Sequence, residues 1–101
     1  MEKIIDGRMY NTFTATPIST WCNGQYGSIT YVEETLYKKR NGEFFLYGLS
    51  GAGGKYAERI DENNYSGGSK IITFTESKAK EWLETFGTTE EYIKAFGEPE
   101  E

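Results

Sequence analysis

Between Ser28 and Gly48 large apolar and polar side chains alternate on both sides of an Asn-Gly pair. Such alternation marks extended strands, and Asn41-Gly42 is a strong hairpin signal because a type I′ turn needs φ > 0 at both central residues. The spacing predicts a strand from Ser28 to Lys39, bulged near Glu33-Glu34, and a return strand from Glu43 to Gly48. A two-residue loop sets Arg40 opposite Glu43, Lys38 opposite Phe45, Tyr37 opposite Leu46 and Leu36 opposite Tyr47. Ile29, Tyr31 and Tyr37 share one face, and Val32 and Leu36 share the other. The return strand divides in the same way, Phe44 and Leu46 against Phe45 and Tyr47. Both faces are apolar, so the hairpin is central. One face meets the core; the other is covered by a loop or offers aromatics to a partner.

Arg8 to Thr16 also alternates, rich in threonine and aromatics, and reads as a strand that Pro17 ends or marks as an edge. Asp6-Gly7 is a turn signal, and Asn23 to Gly27 reads as a loop. Gly48 to Tyr56 and Asp61 to Gly68 are turn-rich loops, and Ser69 to Thr75 is a short strand. The period then changes. Ala79, Trp82, Leu83 and Phe86 fall at i, i+3, i+4 and i+7, with Thr75 as N-cap and Gly87 as a left-handed stop. A second helix starts at Thr88 with Glu91 as the other half of a capping box, carries Tyr92, Ile93 and Phe96, and stops at Gly97 before Pro99. The expectation is an α+β fold: an antiparallel sheet of three to five strands around the hairpin, with two C-terminal helices packed as an αα-hairpin on one face. A single domain, 1–101, thus comprises a β-rich segment (1–75), a helical hairpin (76–97) and a frayed tail (98–101).

Composition adjusts this picture in three ways. With 101 residues and a mean hydropathy of −0.66, the core leans on eight Tyr, six Phe and two Trp. Cys22 is alone, no apolar h-region opens the chain, and no apolar run is long enough to span a bilayer, so an intracellular, cytoplasmic protein without membrane contact is expected. The net charge of −5 lies wholly beyond residue 75, where Glu76, Glu81, Glu84, Glu90, Glu91, Glu98, Glu100 and Glu101 face only Lys78, Lys80 and Lys94. That layout disfavours general nucleic-acid or anionic-membrane binding and permits a basic protein partner.

Catalytic chemistry has little support in the residues. There is no histidine, which removes the commonest general base and metal ligand. Cys22 has no activating neighbour in sequence and reads as a small semi-buried residue beside Trp21. The glycine loop fails as a P-loop, because Gly54 follows Gly53 where lysine is needed, and G-x-G-x-x-G fails at Tyr56. Asp61 to Asn64 lacks the calcium-loop pattern. No cofactor, metal or catalytic residue is therefore expected. The candidate contacts are the acidic helix face Glu81, Glu84, Glu90 and Glu91, the hairpin residues Tyr37, Lys38, Lys39, Arg40, Phe45 and Tyr47, and the loop residues Lys55, Tyr56 and Tyr65. Lys38, Lys39 and Arg40, with Lys55, Arg59 and nearby aromatics, provide a second reading as a nucleic-acid contact. A small ligand site in the Gly48–Gly68 loops is a third.

Several stretches occur in a familiar order: Tyr10 to Ala15, Glu34 to Lys39, Gly42 to Gly48, Gly54 to Glu58, Ser66-Gly67-Gly68 with Lys70-Ile71-Ile72, and the Glu-rich helix with Trp82. Together they resemble a family of small acidic proteins of Gram-positive bacteria and their phages, plasmids and integrative elements. At the level of class, small acidic proteins of this size and origin resemble anti-CRISPR inhibitors of Cas9-type nucleases, which bind the nuclease or block its guide RNA. The resemblance implies a non-enzymatic inhibitor that docks on a basic, nucleic-acid-handling protein.

Overall fold

A computed structural model describes residues 1–100. Its frame is a four-stranded antiparallel sheet in the order β3-β4-β5-β8. The strands are β3 (Thr16–Asn23), β4 (Val32–Lys38), β5 (Phe44–Ser50) and β8 (Gly68–Phe74). Two small hairpins flank it: β1 (Glu2–Ile5) with β2 (Arg8–Asn11), and β6 (Glu58–Arg59) with β7 (Tyr65–Ser66). Helices α1 (Glu76–Phe86) and α2 (Thr89–Phe96) close the chain. The fold is therefore α+β, with the hairpin β4-β5 at the centre of the sheet.

The hairpin register differs from the expected one by one residue. Leu36 lies opposite Leu46, Tyr37 opposite Phe45 and Lys38 opposite Phe44. The Lys39 N–H donates to the Glu43 carbonyl at 2.8 Å and the Gly42 N–H to the Lys39 carbonyl at 3.0 Å. The loop is thus three residues, Arg40-Asn41-Gly42. Only Gly42 takes positive φ, +92°, the arrangement of a turn followed by a G1 bulge. Arg40 consequently does not face Glu43. A one-residue slip exchanges the faces of a strand, and this register sorts them better. Leu36 joins Leu46 on one side, while Tyr37 stacks on Phe45 on the other, with ring centroids 5.1 Å apart.

The first face, with Leu36, Phe44 and Leu46, meets Ala79, Trp82 and Leu83 of α1 and Tyr92 and Phe96 of α2. The opposite face centres on Phe45 and Ile71 and is covered by Tyr10 of the β1-β2 hairpin, set edge-on to Phe45. The helix starts are as the sequence indicates. The Thr75 hydroxyl accepts from the Lys78 N–H at 3.1 Å, and Thr88 and Glu91 form a reciprocal capping box. Gly87, however, ends α1 at φ −88°, not in a left-handed conformation; the left-handed stop is Gly97, at φ +84°. Thr88→Ala removes one half of the box and should lower stability by about 1 kcal/mol in urea denaturation, with no change of m-value.

Other boundaries moved for local reasons. The expected Arg8–Thr16 strand is interrupted after Asn11, whose side-chain oxygen accepts from the Phe13 N–H at 2.8 Å and whose carbonyl accepts from Ala15 at 3.1 Å. Those bonds turn the chain and leave Phe13 exposed. Asp6-Gly7, both at positive φ, makes the two-residue hairpin turn of β1-β2. Pro17 does not end a strand. It lies near the start of edge strand β3, where the bulge sits between Pro17 and Ser19 and not at Glu33-Glu34. Strand β4 begins only at Val32, because Gln25 to Tyr31 is folded into turns.

Candidate functional site

The densest polar arrangement lies inside the protein, on the helix-facing side of the sheet. Glu34 is 1 % exposed in the middle of β4. One carboxylate oxygen accepts from the Trp82 indole N–H of α1 at 3.0 Å. The other accepts from the Tyr56 hydroxyl and from the Lys55 ammonium, the latter at 2.9 Å. Burial pushes the Glu34 carboxyl up, but the hydrogen bonds from Trp82, Tyr56 and Lys55 outweigh it and hold the group below its ordinary range. Burial and the neighbouring carboxylate together push the Tyr56 phenol far above its usual value, so it stays a donor.

Gly48 makes this arrangement possible. It lies opposite Glu34 on β5, and the Tyr56 ring occupies the space a side chain would need: an added Cβ would lie 2.1 Å from Tyr56 Cζ. The glycine loop that follows is packed tightly. The Gly53 N–H donates to the Ile29 carbonyl at 2.7 Å, and the Tyr56 N–H to the Ser50 hydroxyl at 2.8 Å. Gly51 approaches the Ser28 carbonyl so closely that a Cβ would sit 2.5 Å from its oxygen. Close backbone packing therefore accounts for these glycines. The arrangement fixes the loop to the sheet and to α1, and among the described residues no buried side-chain nitrogen or oxygen lacks a hydrogen-bond partner.

The second region is the hairpin tip. Lys39 pairs with Glu43 at 2.9 Å, and its ammonium stands 4.2 Å from the centre of the Tyr10 ring. Arg8 pairs with the same carboxylate. Lys39 and Asn41 are the main donors that hold Glu43 down to about 2. Lys38 lies half-buried over Phe44, and Arg40 is exposed. Lys38, Lys39 and Lys94 line a cleft of about 210 Å³ beside β3. A larger groove of about 590 Å³ runs past Tyr10, Lys38, Phe44, Phe74 and Phe96.

The third region is the outer side of the helices. Glu81, Glu84 and Glu90 are exposed and make no ion pair among the described residues. Glu91 has a different role: one of its oxygens accepts from the Thr88 N–H at 2.8 Å and from the Ser19 hydroxyl at 2.9 Å, fastening α2 to β3. The tail after Gly97 is irregular, but Pro99 lines a cleft with Leu83, Gly87 and Thr88 between the helices, and Glu98 and Glu100 are exposed. Glu101 lies outside the described residues.

The expected contact residues thus separate into different roles. Phe45 is fully buried and Tyr56 nearly so, which removes both from any surface set. Tyr37 and Tyr47 are half-buried against the β1-β2 hairpin side, and Tyr65 is exposed on β7. Lys55 is engaged by Glu34, and Arg59 donates to the carbonyls of Asp61 and Glu62, so neither extends the basic tip. Cys22 is exposed, one residue from Trp21 and therefore on the opposite face of β3. Among the described residues no His, Cys, Asp and Glu group could hold a metal ion, and no helix is long and apolar enough to cross a membrane. Glu34 could not be recognised from sequence as a buried anchor; the one available signal was an acidic residue inside an apolar strand. Comparison with family models, curated proteins and solved structures finds no match.

Proposed function

We propose that this chain is a non-enzymatic binding protein that docks on a basic protein through the exposed acidic face of its helices. The observation that carries this reading is the contrast between acids with internal partners and acids without. Glu34, Glu43 and Glu91 are engaged by donors within the fold, whereas Glu81, Glu84 and Glu90 stand exposed and make no ion pair among the described residues. Glu98 and Glu100 extend the same charge. A net-acidic surface on the helical pair favours encounter with a basic surface and rejects acidic competitors. Combined with the sequence resemblance, the reading extends to an inhibitor carried by a mobile element. It would act in the cytoplasm, and its target would be a nucleic-acid-handling nuclease of the Cas9 type, whose basic channel the acidic face would occupy.

Reversal of Glu81, Glu84 and Glu90 to Lys should weaken binding to such a nuclease by somewhat more than ~100-fold, about 3 kcal/mol, with each exposed pair contributing roughly 0.5 kcal/mol and reversal acting twice. It should also flatten the dependence of affinity on salt. Glu91 is left intact, because its loss would open the capping box and confuse stability with binding. Isothermal titration at two ionic strengths checks both effects; unchanged affinity in the triple variant would refute docking through this face.

A further inference from the structure

The chain has two Asn-Gly pairs, Asn41-Gly42 at the tip of the central hairpin and Asn23-Gly24 at the end of edge strand β3. In such a pair the glycine nitrogen can attack the asparagine side-chain carbonyl, because no Cβ obstructs its approach. All four residues are exposed, so water reaches both pairs. Their hydrogen bonds differ. At the tip, the Gly42 N–H donates to the Lys39 carbonyl at 3.0 Å. The Asn41 amide nitrogen donates to the Glu43 carboxylate at 2.7 Å, and its amide oxygen accepts from the Glu43 N–H at 3.0 Å. Attack there breaks the bonds that close the turn. At the end of β3, the Gly24 N–H donates to the amide oxygen of Asn23 itself, at 3.0 Å. That bond keeps the attacking nitrogen beside the carbonyl group it must reach and ties neither to another part of the fold. Among the described residues the Asn23 amide group makes no other hydrogen bond. Gly24 is required where it stands: its φ is +86°, and an added Cβ would lie 3.3 Å from Tyr31 Cα.

We propose that Asn23 is a site of spontaneous modification, where the folded chain converts asparagine to aspartate and isoaspartate while Asn41 is protected. This inference is independent of the acidic helix face. Hydroxide removes the Gly24 amide proton, and the nitrogen attacks Asn23 Cγ. The new N–Cγ bond closes a cyclic imide; the Cγ–Nδ2 bond breaks, and ammonia leaves with a proton taken from water. Water then opens the ring. Cleavage of the N–Cγ bond gives aspartate in the original chain. Cleavage of the bond from that nitrogen to the Asn23 main-chain carbonyl gives isoaspartate, with the chain routed through Cγ. Nothing is oxidised or reduced. Holding the two reacting groups together lowers the entropic part of the barrier at Asn23. At Asn41 the bonds to Lys39 and Glu43 must first be lost, which raises it. Either product adds a carboxylate. Isoaspartate also lengthens the backbone where Asn23, opposite Val32, makes the last pairing of β3 with β4.

Ageing the full chain in mildly alkaline buffer, with peptide mapping by mass spectrometry at intervals, tests this. The same series in guanidinium chloride supplies the unfolded rates. Each conversion exchanges an amide NH2 for OH, and chromatography separates the isoaspartyl peptide from the aspartyl one. Folding should leave conversion of Asn23 close to its unfolded rate. It should slow conversion of Asn41 by about tenfold or more, the effect of one or two hydrogen bonds on a barrier. In guanidinium the two sites should convert at similar rates. Asn23→Gln should abolish the early isoaspartate, because the longer side chain must close a larger ring, and should leave the rate at Asn41 unchanged. A folded chain in which Asn41 converts as fast as Asn23 overturns the proposal. So does one in which folding slows Asn23 as much as Asn41.

Discussion

Glu34→Ala should lower the unfolding free energy by about 3–5 kcal/mol, the range for removing one partner of a buried charged cluster. The loss is large against the 5–15 kcal/mol that holds a typical domain together. Truncation leaves the Trp82 indole N–H and the Tyr56 hydroxyl buried without an acceptor, since Glu34 is the acceptor for both. It also detaches the glycine loop and α1 from a common point on β4. Lys55 contributes less, because its side chain is 65 % exposed and water replaces the lost bond. Urea denaturation reads the change; a loss below about 1 kcal/mol would show that the cluster is incidental.

The same site dictates a pH dependence. The folded-state pKa of Glu34 lies below its ordinary value, so its stabilising effect is complete above the unfolded pKa of about 4.3. It is lost as the pH falls through the lower folded-state value. The stability difference between the wild type and Glu34→Gln should therefore be greatest at neutral pH and shrink on acidification. A difference that grew toward acid would mean that the carboxyl is raised on folding, contrary to the geometry.

Gly48→Ala is the second large effect, and it has an unusual signature. The new methyl group would stand 2.1 Å from Tyr56 Cζ and 2.5 Å from its hydroxyl oxygen. The ring must leave, and its bond to Glu34 goes with it. Overpacking and the lost charged hydrogen bond together should destabilise by about 2–4 kcal/mol. In a Tyr56→Ala background the obstacle is absent. There the same substitution should be neutral or stabilising by about 0.5–1 kcal/mol, because alanine suits a strand interior better than glycine. A double-mutant cycle measures this change of sign. Equal penalties in both backgrounds would place the cause in the backbone and not in the ring.

Much of the fold was legible in the sequence because single local signals decide it. The helix period, Thr75, and Thr88 with Glu91 located both helices and their first turns. Alternation located β4 and β5, but Asn41-Gly42 pointed to a two-residue loop where the chain makes a three-residue one. That choice was settled by non-local packing, Leu36 with Leu46 under the helices and Tyr37 with Phe45 under Tyr10. The short β6-β7 pair was illegible because each strand has only two residues. The candidate surface divided in the same way. Exposure of Glu81 and Glu84 follows from their helical spacing relative to Ala79, Trp82 and Leu83 on α1, and that of Glu90 from its place in the first turn of α2. The internal use of Glu91, Lys55 and Tyr56 depends on Ser19 and Glu34, partners 72, 21 and 22 residues away.

The most direct test of the proposed docking runs the wild type and the Glu81→Lys, Glu84→Lys, Glu90→Lys variant side by side as tagged baits. Both are exposed to nuclease-treated lysate of a Gram-positive host carrying a Cas9-type system, and the bound proteins are identified by mass spectrometry. The account predicts that the wild type retains the basic nuclease after nucleic acid has been digested and that the triple variant does not. Retention by both baits, or loss from the wild type once nucleic acid is removed, would contradict it.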